Sequence, residues 1–157
     1  KNIFRVMPNM PAIVGESMNC IVRSKHINNN KIKDVIKLFS FSGETIVLKN
    51  ENQIDMATAV SGSGPGFVFN LVDALEKAAI GLGFNKNIAK ILVNQTFKGS
   101  IQLLIKNNLS AKELVKTVAT KGGTTEAGLK IMKINKIHKV FSIVAKEAYK
   151  KAKMQGK

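Results

Sequence analysis

The sequence predicts a mostly helical α+β protein, in which short mixed strands and one helix precede an all-helical region. Three observations lead to this prediction. Short stretches rich in β-branched residues occur before residue 50. Beyond residue 51 the apolar residues recur at helical spacing, and Gly-rich breaks separate these stretches. We therefore predict a first segment of residues 1–50 and a helical domain of residues 51–157.

The first segment is expected to hold strands and one helix. Residues 3–7 form a candidate strand that ends at a proline, and residues 13–14, 19–22 and 44–48 are further candidates. Apolar residues at 3–4 spacing predict one amphipathic helix over 32–39, and the glycine at 43 would stop it. These elements are too few for a closed α/β domain and are typical of the last third of one.

The second segment is expected to contain only helices. Gly-rich breaks separate helices at 54–60, about 67–80 and 87–106. A Ser110 N-cap begins a helix that carries apolar residues 114, 115 and 118, a short helix carries 129, 131 and 132, and a last helix carries apolar residues from 137 to 149. Between residues 67 and 106 the apolar residues cover more than one stripe of each helix. Helices of this kind in a short chain predict packing against another subunit.

Composition excludes several classes of protein. The 157 residues include 45% apolar side chains, so a packed core is expected despite a net charge of +15. The single cysteine, Cys20, excludes an internal disulfide, and one Cys with two His does not make a zinc site. We predict no metal, a buried Cys20 thiol, solvated His26 and His138 side chains, and a soluble cytoplasmic protein.

The positive charge does not by itself indicate a nucleic-acid partner. Nearly all of it comes from lysine, the only arginines are Arg5 and Arg23, and no aromatic residues are interleaved with the lysines. The longest uncharged stretch, 56–72, is shorter than a bilayer span and contains a Gly-Ser-Gly-Pro break. We expect neither nucleic acid nor a membrane as a partner.

The segment 61–66, Ser-Gly-Ser-Gly-Pro-Gly, invites comparison with a dinucleotide-binding loop. The third glycine of that motif is replaced by Phe67, and no clear strand precedes the segment. The Gly-Lys-Ser/Thr end of a P-loop is also lacking. The pattern favours a tight break between helices, at which two backbones approach closely.

The segment 121–126, Lys-Gly-Gly-Thr-Thr-Glu, precedes a predicted helix. The free N–H groups of a helix start can bind an anion, and glycine lets a carboxylate approach the backbone. Thr124 or Thr125 can cap the helix or donate to a ligand. The local pattern by itself favours an ordinary Gly-rich loop with a threonine N-cap.

Taken together, these segments resemble pyrroline-5-carboxylate reductase over essentially the whole chain. The matching segments are 5–9, 11–12, 15–16, 58–65 and 122–125, in the order and rough spacing of that family. The resemblance implies reduction of the cyclic imine pyrroline-5-carboxylate to L-proline with NADPH or NADH. It also implies an N-terminal Rossmann domain, of which 1–50 would be the C-terminal remainder, and a helical domain that forms an intertwined homodimer, with higher oligomers of dimers.

The resemblance also implies roles for individual residues. The substrate carboxylate would bind backbone N–H groups of the Gly-Gly-Thr-Thr segment, and the Thr125 hydroxyl would lie at the imine nitrogen. The implied substrate-binding residues are Glu16, Gly122, Gly123, Thr124 and Thr125, the implied loop facing cofactor and substrate holds Asn9 and Pro11, and the implied cleft-shaping residues are Ser61, Gly62, Ser63, Gly64 and Pro65.

Three positions depart from the family pattern. Met10 stands where Thr is usual, Gly66-Phe67 stands where Ala-Tyr is usual, and Lys121 stands where Pro is usual. Lys121 would either aid or distort the carboxylate site. None of these changes removes the implied Thr125 chemistry.

Three hypotheses about the function follow, and the third, a basic helical protein that binds nucleic acid, conflicts with the near absence of arginine. In the first, the chain is the C-terminal part of a working reductase. It lacks the Gly-rich cofactor loop, is inactive alone and is not expected to bind the cofactor. A separate Rossmann-domain chain or a longer parent protein would complete the site. In the second, it is a catalytically inactive dimeric remnant that acts as an interaction module.

Overall fold

The computed structural model describes residues 3–155 and confirms a mostly helical α+β fold. Three strands and the first two α-helices precede a π-helical turn, and five further α-helices follow. The elements are β1 (Phe4–Met7), a 3₁₀ turn (Met10–Val14), β2 (Ser17–Arg23), α1 (Asn29–Phe39), β3 (Gly43–Val47), α2 (Glu51–Ala57), the π turn (Thr58–Gly62), α3 (Gly64–Gly81), α4 (Lys86–Lys106), α5 (Ala111–Val118), α6 (Thr124–Ile134) and α7 (Ile137–Gln155).

The chain divides into two compact units. The first unit comprises residues 1–67 and 142–157, and the second comprises residues 68–141. This division differs from the predicted boundary at residue 50, because α2, the π turn and most of α7 belong with the sheet. No helix in the described range 3–155 is long and apolar enough to cross a bilayer.

The sheet of the first unit has the order β1-β2-β3. β1 and β2 are antiparallel, with Met7 opposite Cys20. β2 and β3 are parallel, with Cys20 opposite Ile46, and α1 forms the crossover between them. The central strand is therefore the most buried element, and α2 packs on it through a cluster of Cys20, Val22 and Ile54.

The predicted strand at Ile13 and Val14 is wrong. These residues end the 3₁₀ turn, and both side chains are exposed. Pro11 at the start of this turn has no N–H to give a β ladder, and its restricted φ suits a helical turn. Gly15 closes the turn with φ of 75°, a left-handed conformation that favours glycine.

The predicted role of Gly43 as the stop of α1 is also wrong. The helix ends at Phe39, with Ser40 as its C-cap, and Gly43 begins β3. A Cβ on Gly43 would lie 2.2 Å from the backbone oxygen of Ser17. This glycine is needed where β3 meets the start of β2, and its φ of 140° also disfavours other residues.

The helix caps of the second unit follow from local sequence. The Asn85 side chain accepts the Ile88 N–H at 2.9 Å and caps α4. The predicted Ser110 cap of α5 is confirmed as a full capping box with Glu113. The hydrogen bonds from the Ser110 hydroxyl and then from its N–H lower the pKa of Glu113 below its ordinary value.

Candidate functional site

The start of α6 has a backbone that favours glycine at two positions. Gly122 has φ of 75°, and Gly123 is the N-cap. A Cβ on Gly123 would lie 2.6 Å from the Thr120 hydroxyl oxygen. The two glycines thus serve different needs, one for a left-handed turn and one for space. The predicted threonine N-cap is wrong, because Thr124 is already the first helical residue.

Three backbone N–H groups at the start of α6 have no hydrogen-bond acceptor among the described residues. The first α-helical hydrogen bond at the start of α6 runs from the Ala127 N–H to the Gly123 oxygen at 3.2 Å. The N–H groups of Thr124, Thr125 and Glu126 precede it and are left over. An anion can bind such a set of donors, which the helix dipole reinforces.

The Glu126 carboxylate binds a further backbone N–H, that of Gly122, close to these three donors. It accepts the Gly122 N–H at 2.7 Å and so holds the left-handed turn. The side chains of Thr124 and Thr125 are exposed, and neither makes a side-chain hydrogen bond with another residue of the described range. The Thr125 hydroxyl is therefore available to a ligand.

An open groove of about 640 Å³ runs beside the same helix start. Its lining comprises Gly122, Gly123, Glu126, Ala127, Leu129, Lys130 and Lys133. Lys130 lies midway along α6 and Lys133 in its last turn, so the groove carries positive charge along the helix, while the Glu126 carboxylate lies in its first turn.

Asn9, in the first unit, uses its side chain for contacts within the protein. Its amide nitrogen donates to the Ser61 carbonyl at 3.0 Å. Its amide oxygen accepts the Met18 N–H at 3.1 Å, and its backbone N–H donates to the Ser17 hydroxyl at 3.3 Å. The loop expected to face cofactor and substrate is therefore tied to the segment expected to shape the cleft.

Backbone hydrogen bonds hold the rest of that loop in place. The Glu16 N–H donates to the Pro11 oxygen at 3.1 Å, and the Ser17 N–H donates to the Ser42 oxygen at 2.7 Å. The Glu16 side chain is exposed and forms no ion pair with another described residue. Its carboxylate is thus free to meet a cationic or N–H-bearing ligand.

The segment 61–66 contains the end of the π turn and the first residues of α3. The Ser63 N–H reaches back five residues to the Thr58 oxygen at 2.8 Å, which defines the π geometry. A Cβ on Gly62 would lie 2.7 Å from the Met7 methyl, whereas nothing lies within 4 Å of a Cβ on Gly64. The predicted approach of two backbones at this segment is wrong for the described residues, because Gly62 contacts side chains and Gly64 is open.

Sequence reasoning missed two buried polar residues behind the Asn9 loop. Ser17 and Asn19 are buried, and the Ser17 hydroxyl lies 2.9 Å from the Asn19 amide oxygen. The Asn19 amide nitrogen donates to the Ser42 hydroxyl at 3.1 Å. The missed signal was their alternation with apolar residues in β2, which directs both to one face of the sheet. The Cys20 thiol is buried, as predicted.

Thr120 is a further residue that the sequence analysis missed, and no local pattern indicated it. His26 and His138 are exposed, as predicted. Among residues 3–155, no three His, Cys, Asp or Glu side chains are grouped as a metal site would require.

Comparison with known proteins gives consistent matches. Residues 51–155 match the family described as pyrroline-5-carboxylate reductase dimerisation. Pyrroline-5-carboxylate reductase 2 of Bacillus subtilis (strain 168) is 31% identical over 150 residues, which are 96% of this chain and 54% of that protein. The enzyme of Haemophilus influenzae is 35% identical over 132 residues, which are 83% of this chain and 49% of that protein.

Solved structures match equally well. A pyrroline-5-carboxylate reductase from Coxiella burnetii superposes with a TM-score of 0.95 at 28% identity, covering 98% of this chain and 57% of that one. The Plasmodium falciparum pyrroline carboxylate reductase, solved with NADP bound, gives 0.92 at 31% identity, covering 100% and 60%. The chain spans about half the length of the curated relatives it matches. These matches lead to one conclusion. This chain belongs to the pyrroline-5-carboxylate reductase family, and most of its residues lie in the dimerisation domain of that family.

Proposed function

We propose that the chain supplies the substrate-binding and dimerisation part of a pyrroline-5-carboxylate reductase, which reduces the cyclic imine to L-proline. In this proposal residues 1–50 complete a dinucleotide-binding domain, and 51–157 form the dimerisation domain. The beginning of the family match at residue 51 supports this division.

The start of α6 is the observation on which the proposal depends. The N–H groups of Thr124, Thr125 and Glu126 would bind the substrate carboxylate, with Gly122 and Gly123 shaping the approach. Lys130, the nearer of the two lysines in the adjoining groove, raises the local positive potential. Lys121 then acts as a further positive charge rather than as a distortion.

Thr125 is the proposed catalytic residue. Its hydroxyl would hydrogen-bond the imine nitrogen and orient the C=N bond. A threonine hydroxyl is a poor acid, so its role is orientation and polarisation rather than proton donation. The proton that the nitrogen gains on reduction would come from solvent water, Glu16 would accept the resulting N–H, and Pro11 would help to hold the Glu16 loop.

The hydride for this reduction would be supplied by NADPH or NADH. The segment 61–66 does not fit a dinucleotide pyrophosphate, because it forms a π turn after a helix and not a loop after a strand. We therefore assign it no cofactor contact and expect the cofactor to need a dinucleotide-binding half. The cleft-shaping role of Ser61, Gly62, Ser63, Gly64 and Pro65 would follow from their position beside Asn9.

A homodimer, with dimers assembling further, is part of the proposal. Large apolar side chains on α3 and α4 are exposed within the second unit, and a second copy would bury them. The apolar groove of about 260 Å³ between α4 and α5 offers one such face.

Titration of the chain with L-proline, followed by calorimetry, tests the proposal. We expect binding that the Thr125→Ala variant weakens and the Thr117→Ala variant leaves unchanged. Thr117 is a matched control, because it is exposed and bonds only the Glu113 oxygen of its own helix.

An activity assay completes the test. Pyrroline-5-carboxylate should be reduced when the chain is combined with a dinucleotide-binding half of the same family, and NADPH oxidation reports the reaction. Absence of L-proline binding together with absence of activity would favour the inactive dimeric remnant instead.

A further inference from the structure

The Ser61 carbonyl lacks the donor that a helix would normally provide. In a continuous α-helix the N–H four residues later donates to it, but residue 65 is proline and has no N–H. The Ser63 N–H is bonded to Thr58, and the Gly66 and Phe67 N–H groups are bonded to Ser63. A partly buried carbonyl without a donor costs free energy.

The Asn9 amide supplies the missing donor. Its nitrogen lies 3.0 Å from the Ser61 oxygen, although the two residues are 52 positions apart. The amide orientation follows from chemistry, because the Met18 N–H at 3.1 Å can only donate and the Ser61 carbonyl can only accept. The Asn9 oxygen must therefore face Met18, and its nitrogen must face Ser61.

The same residue closes the loop that carries Pro11 and Glu16. Its backbone N–H donates to the Ser17 hydroxyl at 3.3 Å, and its backbone oxygen accepts the Ala12 N–H at 3.1 Å. The Ser17 hydroxyl is in turn within hydrogen-bonding distance of the buried Asn19 amide. The loop and the π turn are thus joined through one side chain and backed by a buried polar network.

We propose that Asn9 is a positioning residue that replaces the hydrogen-bond donor missing at Pro65. It clamps the π turn Thr58–Gly62 to the loop 9–16. The relevance of this clamp to catalysis rests on the proposed function, in which the loop and the turn border the substrate cleft. No other residue type of this size offers both a donor and an acceptor in this geometry: aspartate lacks the donor, and leucine lacks both.

Backbone hydrogen exchange of the full chain, measured by NMR, tests the clamp. The Asn9→Asp variant keeps the acceptor for the Met18 N–H and places a carboxylate oxygen against the Ser61 carbonyl. We expect the Ser63 N–H, which closes the π turn, to exchange at least about tenfold faster, whereas the Met18 N–H stays protected. General destabilisation would instead accelerate both.

A rescue variant separates positioning from simple loss of packing. Pro65→Ala returns an N–H to residue 65, so the exchange effect of Asn9→Asp should be smaller in the Pro65→Ala background. Asn28→Asp is the matched control: Asn28 also accepts a backbone N–H, that of Lys31 at 3.0 Å, and this variant should leave Ser63 unchanged. Unaltered Ser63 exchange in Asn9→Asp, or an undiminished effect with Pro65→Ala, would overturn the clamp.

The L-proline titration distinguishes this proposal from the proposed function. If the unaltered chain binds L-proline, Asn9→Asp should weaken that affinity and Pro65→Ala should partly restore it. An affinity unchanged by Asn9→Asp would overturn the positioning role. If the unaltered chain binds no L-proline, the proposed substrate site fails, and the exchange rates still decide the clamp.

Discussion

The two units of the chain differ in how far they bury their own side chains. In the first unit a strand, a helix and a polar network share one core, with Ile21, Ile54 and Asn19 among the most buried residues. In the second unit, all of which is described, only Ala89 and Val93 are buried. Its helices expose many large apolar side chains, among them Ile91 at 68%.

This difference shows that the two units obtain their stability from different sources. A sheet with a packed helix buries its apolar face inside one chain. Four helices that expose apolar residues on several faces do not, and isolated helices gain little stability from propensity alone. The second unit is thus expected to depend on another copy of the chain, whereas the first is expected to depend on its own core.

The largest expected effect is on assembly. We expect the chain to have a solution mass of about twice 17.1 kDa by light scattering, and the Ile91→Glu variant to shift it toward the single-chain mass. A carboxylate buried in an apolar interface without a partner is strongly destabilising. Leu38→Glu, which adds the same charge at an exposed apolar position of α1 in the first unit, is the control. A single-chain mass for the unaltered protein would contradict the comparison.

The next largest expected effect is on the free energy of unfolding, through the core of the first unit. Ile54 is 0% exposed, so Ile54→Ala should lower the free energy of unfolding by about 2–5 kcal/mol in urea titrations. This loss should not depend on protein concentration, unlike that of Ile91→Glu. Ile13→Ala, at 82% exposure, should change stability by less than about 0.5 kcal/mol. A similar loss for both variants would be inconsistent with a separate core.

Glycine substitutions in the second unit should have opposite signs. Gly122→Ala places a side chain at φ of 75° and should cost about 1–2 kcal/mol, with weaker L-proline binding. Gly128→Ala lies in α6 with nothing within 4 Å of its Cβ, and should stabilise by roughly 0.5–1 kcal/mol. Thermal unfolding measures both effects. If both substitutions changed the stability in the same direction, the left-handed backbone at Gly122 would not be what requires glycine there.

The smallest effect concerns the start of α5. Because the hydrogen bonds from Ser110 lower the pKa of Glu113, the ionised carboxylate stabilises the folded state above its unfolded pKa. That contribution is lost as the pH falls through the lowered folded pKa. Ser110→Ala should therefore raise the pKa of Glu113 in an NMR titration, and Ser40→Ala should leave it unchanged. If Ser110→Ala left the pKa of Glu113 unchanged, the hydrogen bonds of the capping box would not be the cause of the lowered pKa.

Local rules predicted the elements whose signals lie within a few residues. The N-cap at Ser110 and the helical spacing of α4 required no distant partner, and both occur as expected. The strand prediction at Ile13 was wrong because it gave more weight to the β-branched side chains than to the proline two residues earlier, which favours the helical turn. The Gly43 prediction was wrong because its conformation is set by contact with Ser17, a residue of another strand.

By itself the sequence determined the fold class, the family and the motif at 122–125, since composition, periodicity and motif order are properties of the chain. The tertiary structure alone decided that Asn9 donates to Ser61, that Ser17 and Asn19 lie behind it, and that Thr120 crowds the position of a Cβ on Gly123. Each of these depends on the distance between groups that are not neighbours in the chain or on the space around a backbone atom. Hydrogen bonds and steric exclusion act over a few ångströms, so they become definite only when folding has brought their partners together.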